Sequence, residues 1–359
     1  MFSTPREQRF TTSFIAANKF LLGGIVLLTA LDATYVQGQV GGPGGSDQMI
    51  IRQSTPLIDT QPTVAVFTNY HGWSNSVSVN NGMVEAVIVP TVGRVQQFRF
   101  AGDTNGVLWE NSRVWGRTSS GFYPNFGGDK AWPSPQSEWG WPPPKGFDGS
   151  VNTVSFTNRI VTLVTPVDAT YSIRTTRIIE LLPNEPIMRI RTIFERTAAS
   201  SKTNLGVWID CQATVTSDSR CYVPVPSSSI FPKGCTTTGS AQFTSALPAG
   251  FTNANGLISF MSDPANHKVG FDGGTLVLVG PSLSLRVDAP RIPGATYPDG
   301  NSSTEVYTAG SNYFELEMLG PLAALPVGEK MEFVTTYSLF RRTETTTDTE
   351  AQKVLSWKH

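Results

Sequence analysis

Residues 121–150 read GFYPNFGGDKAWPSPQSEWGWPPPKGFDGS. The aromatics Phe122, Tyr123, Phe126, Trp132, Trp139, Trp141 and Phe147 follow neither the 3.6-residue period of a helix nor the alternation of a strand. The glycines and prolines between them interrupt regular ladders and preset turns. A stretch of this length without a period is either disordered or functional, and disordered segments are poor in aromatics. It therefore reads as a rigid, aromatic-lined loop carried by an ordered scaffold. Gly127 and Gly128 mark positive φ or close backbone approach within it.

The flanks of the loop are strand-rich. Val77 and Val79 lead through Asn80-Asn81-Gly82 into the apolar run 83–89, a hairpin signal because Asn-Gly accepts the positive φ of a tight turn. Residues 92–100 and 107–109 bring the chain to the loop as further strands. Beyond it, 154–164, 169–182, 187–196 and 205–213 alternate as strands. The segment LPNEP (182–186) sets the register of a hairpin. Residues 214–255 dissolve into Ser, Thr, Pro and Gly and read as a long excursion with room for short strands. Strand signals then resume at 256–262, 268–271, 275–279, 283–287, 305–308, 313–318 and 332–340. Short strands at this spacing predict an all-β sandwich or barrel over residues 63–342. Residues 343–359 read as a polar, frayed C-terminal tail.

Composition agrees with a strand-and-turn protein. Of 359 residues, 15% are charged, while Gly (33) and Pro (25) are abundant. The 27 basic and 28 acidic side chains leave a net charge of −1, which excludes the basic excess of a nucleic-acid surface. Arg6, Arg9 and Lys19 precede an apolar run at 20–31 that is too short for a stable bilayer anchor. Residues 1–38 therefore read as a signal peptide cleaved near Gly38–Gln39, with an uncleaved anchor as the alternative because the n-region is long and Asp32 interrupts the c-region, and 39–62 as a Gly/Pro-rich linker. The expectation is a secreted or periplasmic protein with no membrane association after cleavage. Cys211, Cys221 and Cys235 lie close together, and in an exported chain a disulfide such as Cys221–Cys235 stands beside three free thiols as an alternative. No His/Asp/Glu cluster has metal-ligand spacing, no cofactor is implied, and no Gly-x-Ser-x-Gly elbow points to a serine hydrolase.

The segment GGDKAWPSPQSEWGWPPPKGFDG resembles the signature of an uncharacterised bacterial family with the galactose-mutarotase-like fold, which pairs Gly-Gly-Asp-Lys-x-Trp-Pro-x-Pro-Gln with a Trp- and Pro-rich continuation. Asn81-Gly82 and Val92-Gly93-Arg94 resemble that family's first hairpin. Tyr313-Phe314-Glu315-Leu316-Glu317, Gly320-Pro321 and 325–329 (LPVGE) resemble its closing strand and turn. The resemblance spans roughly 66–342. It implies a galactose-mutarotase-like supersandwich of large antiparallel sheets with a concave sugar-binding face.

Sugar rings stack their C–H faces on aromatic platforms, and their hydroxyls need fixed polar partners, since a buried unpaired one costs ~1–3 kcal/mol. Trp132, Trp139 and Trp141 are candidate platforms, and Asp129, Lys130, Gln136, Glu138 and Asp148 candidate polar contacts. Asp129 and Lys130 also suggest an ion pair that positions the loop. Arg94 is placed to meet a sugar carboxylate or to pair with Glu110. Trp109 and Trp115 read as core. The mutarotase-like resemblance implies a carboxylate base on a late strand. Glu317 and then Glu315, which share one face of that strand, are the candidates. His71 is the candidate acid, and His267 reads as a surface-turn histidine. The functions that follow are an exported carbohydrate-binding protein, an aldose 1-epimerase-like enzyme (less readily a lyase or hydrolase), and a structural cell-surface protein.

Overall fold

The computed structural model describes residues 64–67, 69–119, 123–157, 160–238, 242–310 and 313–358. The expected signal peptide and linker, together with Gly121 and Phe122 of the aromatic stretch, lie outside the described residues.

Two large antiparallel sheets form the fold. The first has eleven strands. Ten run in the spatial order β1 (Val64–Phe67), β2 (Ser76–Asn80), β3 (Val84–Val89), β4 (Arg94–Phe100), β5 (Asp129–Ser134), β10 (Asn204–Thr214), β19 (Tyr313–Leu319), β18 (Thr304–Thr308), β15 (His267–Phe271) and β12 (Thr236–Thr237); β20 (Ala323–Ala324) pairs with β10. The second has ten, in the order β13 (Thr252–Ala254), β14 (Leu257–Phe260), β11 (Arg220–Pro224), β16 (Thr275–Val279), β17 (Leu283–Asp288), β21 (Lys330–Arg341), β9 (Ile187–Arg196), β8 (Ile173–Leu181), β7 (Ile160–Val164) and β6 (Thr153–Thr157).

The alternation in the sequence sets which face packs. On β8, Ile173, Thr175, Arg177, Ile179 and Leu181 are buried while the residues between them are partly exposed. The β8–β9 hairpin keeps this register to Leu181↔Met188. At the β2–β3 hairpin, Gly82 takes φ +86°, as an Asn-Gly turn requires. The Asn81 carboxamide accepts from Val84 N–H at 2.8 Å and donates to the carbonyls of Leu182 (2.6 Å) and Glu185 (2.8 Å), so the hairpin turns of the two sheets are joined.

Four expectations are corrected. The aromatic stretch contains a fully buried strand, β5, which its prolines disguised. Pro133 is tolerated because β5 meets β4 only at Val95↔Asp129, so around Pro133 the strand has one partner, β10. Residues 107–109 contribute only an isolated bridge, Leu108↔Ala213, and 154–164 form the β6–β7 hairpin instead of one strand. The excursion 214–255 holds short strands as expected, β11, β12 and β13, with β11 buried between β14 and β16. The C-terminal tail is not frayed: Thr347–Ser356 is a helix capped by the Thr346 hydroxyl. It buries Ala351 and Val354 against Tyr222, Val277 and Val279, a two-residue stripe too sparse to stand out from its polar neighbours. The three cysteines are free thiols.

Candidate functional site

The site grows from one row of register partners. Lys130 on β5 stands opposite Asp210 on β10, Asp210 opposite Glu317 on β19, and Glu317 opposite Glu305 on β18. The adjacent row holds Gln212, Glu315, Tyr307 and Lys268. Because side chains two apart share a face, these groups project together from the face opposite Ile209, Cys211, Leu316, Val306 and Val269, which fill the core. Lys130 Nζ is 2.6 Å from Asp210 Oδ2, and Lys268 Nζ is 3.0 Å from both Glu305 Oε2 and Glu317 Oε2. Lys268 also lies 4.3 Å above the Trp208 ring, and Lys130 4.9 Å above that of Trp132.

Over this row opens a cavity of about 690 Å³. Glu315, Glu317 and Lys268 lie in its floor, and Trp132, Trp208, Trp141 and Tyr123 form one wall. Trp132 meets Trp208 edge to face at 5.1 Å, and Trp141 meets Tyr123 at 4.9 Å. The wall is held from behind by Asp148, which accepts from Trp132 Nε1 (2.7 Å), Tyr123 OH (3.1 Å) and Arg94 Nη2 (2.5 Å). Arg94 in turn donates to the Gly127 carbonyl at 2.7 Å. Gly127 (φ +83°) and Gly128 (φ +72°) are required there, since a Cβ on either would fall within 2.4 Å of a backbone carbonyl oxygen.

The floor holds more carboxyls than cations, and burial decides their state. Burial pushes Glu305 up to about 7 and Glu315 up to about 8. It also holds Glu317 well above the usual carboxylate range and raises Asp210, against the opposing pull of Lys268 and Lys130 respectively. The Glu315 carboxylate accepts from Gln212 Nε2 at 2.8 Å. Lys268 Nζ stands 3.0 Å from Oε2 of both Glu305 and Glu317, and the Oε1 oxygens of the two meet no protein donor among the described residues. Such an arrangement can hold a proton on one carboxyl while a neighbour is ionised, and it offers acceptors to a hydroxylated ligand.

Of the expected site residues, Glu315, Glu317, Trp132, Trp141 and Gln136 line the cavity. Trp139 stands behind that wall, against Trp132 and Trp208, with its indole N–H donated to the Pro133 carbonyl at 2.8 Å. Asp129 and Lys130 do not pair with each other, because neighbours on a strand point to opposite faces. Asp129 points into the sandwich, where it binds Arg177 of β8 and Tyr337 of β21 and ties the two sheets together. Arg94 does not meet Glu110 but is buried on Asp148 outside the cavity lining, so Asp148 too is a structural hub and not a contact in the lining. His71 is exposed, stacked on Trp115 at 3.7 Å and outside the cavity lining. Trp115 is therefore 40% exposed, not core. His267 is buried, not a surface residue, between Asp263 Oδ1 (2.8 Å) and the Ala246 carbonyl (3.0 Å). Among the described residues no histidine lines the cavity.

Asp210, Trp208, Lys268 and Glu305 were missed. The signal was in the sequence: Trp208 and Asp210 stand between apolar neighbours of a strand, and Lys268 and Glu305 each precede a buried valine, on faces that otherwise read as solvent-exposed. Only the register shows that these faces are adjacent.

These two sheets with a polar concave face define a galactose-mutarotase-like supersandwich. Among solved structures, a TPR-domain-containing protein from Parabacteroides distasonis aligns over 83% of this chain with 13% identity and a TM-score of 0.52. This chain spans about half of that protein, 54%. A candidate aldose 1-epimerase from Escherichia coli K12 aligns over 78% of this chain and 100% of its own, with 11% identity and a TM-score of 0.50. A galactose mutarotase-like protein from Lactobacillus casei aligns over 74% of this chain and 100% of its own, with 12% identity and a TM-score of 0.49. No family model and no curated protein sequence matches the chain.

Proposed function

We propose that this protein binds carbohydrate in the cavity over Glu317 and that it does so after export. The observation that carries this is the facing of two surfaces across one cavity. On one side is an aromatic wall fixed by Asp148. On the other is the buried Glu317 carboxyl, with Lys268 3.0 Å from Oε2 and no protein donor on Oε1 among the described residues. A sugar supplies what each lacks: C–H faces for the rings and hydroxyl donors for the carboxylate. Titration with a broad glycan panel should quench tryptophan fluorescence through Trp132, Trp208 and Trp141; a flat response across the panel overturns the proposal. For export, mature protein should begin near Gln39, and recovery of exported material beginning at Met1 refutes cleavage there. The Gly-Gly-Asp-Lys-x-Trp-Pro stretch, as β5 and the strand-to-loop hinge of the wall, is on this view the signature of a family sharing the site.

A second reading, an aldose 1-epimerase, is favoured by one specific contrast. Burial pushes both carboxyls up, but Glu317 has the Lys268 cation at 3.0 Å whereas Glu315 accepts from the neutral Gln212 amide at 2.8 Å. Two carboxyls whose surroundings differ in this way suit a base and an acid: Glu317 takes the anomeric hydroxyl proton and Glu315 protonates the ring oxygen. Glu317→Gln should abolish anomer exchange followed by NMR; unchanged exchange removes Glu317 from the chemistry.

A further inference from the structure

The cavity over Glu317 does not end at Asn125 and Tyr313. A second concavity of about 620 Å³ shares both residues and continues along Trp109, Glu110, Asn111 and Arg113. Asn125 Nδ2 donates to Tyr313 OH at 3.2 Å, so the two side chains form a low ridge between the compartments. On the far side the Trp109 ring lies 4.5 Å from that of Tyr313, tilted by 40°, which carries the aromatic surface across the ridge. The polar groups there are also fixed. Glu110 accepts from Tyr70 OH at 3.0 Å, and Asn111 Nδ2 donates to the Asn125 carbonyl at 2.8 Å, locking the ridge to the second compartment. Each compartment alone falls within the ~300–1,000 Å³ of a pocket for a drug-sized ligand. One monosaccharide is smaller than that and leaves the second compartment unused.

We propose that the ligand is an oligosaccharide that crosses the Asn125–Tyr313 ridge, with one end over Glu317 and later units on Trp109. This rests on the carbohydrate reading above and adds its chain length and direction. The chemistry required is a linear chain of mainly neutral sugars, since the recognition surfaces are rings, amides and the carboxyls of Glu317, Glu315 and Glu110, with Lys268 in the first floor and Arg113 at the exposed end.

The test is calorimetric titration of the whole protein with gluco-, manno-, xylo- and galacto-oligosaccharide series, each from monosaccharide to hexaose. In the series that binds, affinity should rise by about tenfold or more between the monosaccharide and the longer members, then level off. Trp109→Ala and, separately, Arg113→Ala should remove that gain and leave monosaccharide affinity as in the wild type. Arg113 is exposed, so its variant folds even if Trp109→Ala does not. A monosaccharide that binds as tightly as its hexaose, or a gain that survives both variants, overturns the extended site and leaves the carbohydrate reading standing. Failure of every member to bind overturns both.

Discussion

Asp210 and Glu317 stand directly opposite each other on neighbouring strands, and both are completely buried. Two carboxyls so placed ionise together only if cations divide them. Lys130 takes Asp210 and Lys268 takes Glu317, with Glu305 sharing the second lysine. The sheet therefore carries a row of alternating obligations in which no member can be removed alone.

Lys268 is the most exposed to this logic because it serves two acids. Lys268→Met should lower unfolding free energy in urea by about 3–5 kcal/mol, since it strands buried charge. Adding Glu305→Gln and Glu317→Gln to it should restore much of the loss. A single variant that unfolds at the wild-type midpoint would show that Lys268 carries no buried pair.

The same row gives a pH dependence of defined sign. Burial lifts Glu305 from about 4.5 to about 7, and Glu315 from about 4.5 to about 8. The folded chain therefore keeps protons that the unfolded chain has released. Their contribution is fully present below about pH 4.5 and is lost as pH rises through 7 and 8. Glu315→Gln cannot lose a proton. Its stability relative to wild type should rise by on the order of 1–2 kcal/mol between about pH 5 and pH 9, after allowance for its partial exposure. Parallel curves for the two proteins would place the Glu315 carboxyl in a solvated state.

Asp148 is expected to act on ligand affinity without touching ligand. It holds Trp132, Tyr123 and Arg94 at once. Asp148→Asn cannot accept all three bonds as before and leaves the Arg94 charge buried, so a loss of about 3–5 kcal/mol is expected. Arg94→Met with Asp148→Asn should recover part of that stability while tryptophan quenching by glycans stays weak. Full recovery of both would mean that the wall does not need the hub.

The fold was legible because its evidence is local. Alternation on β8, the Asn80-Asn81-Gly82 turn and the proline-bounded β8–β9 turn each report on themselves. β5 was hidden because Pro133 contradicts a strand unless one knows that its neighbour β4 has already diverged. Half of the site was legible for a similar reason: Glu315 and Glu317 show their common face within five residues. Asp210, Lys268 and Glu305 are more than fifty residues apart in places and meet only through register. Arg94 and Asp129 misled because a buried charge looks the same in sequence whether it faces a ligand or another strand.

Trp139 and Trp141, two residues apart, separate packing from recognition. Trp141 is 59% exposed at the cavity mouth, with its ring set against Tyr123 and Trp132. Trp139 is half-buried behind Trp132 and Trp208, its indole N–H satisfied by Pro133. Trp141→Ala removes little buried area and should change unfolding free energy by about 0.5 kcal/mol or less, while weakening glycan affinity about tenfold, or 1.4 kcal/mol. Trp139→Ala leaves a gap behind the wall and an unpaired carbonyl, and should cost about 2–4 kcal/mol of stability. Thermal melts and glycan titrations on both variants decide the matter. If Trp141→Ala binds like the wild type and only Trp139→Ala is impaired, through its melting temperature alone, the aromatic stretch is scaffold and the protein is a structural one. If the two variants divide as stated, the exposed ring is the one that meets the sugar.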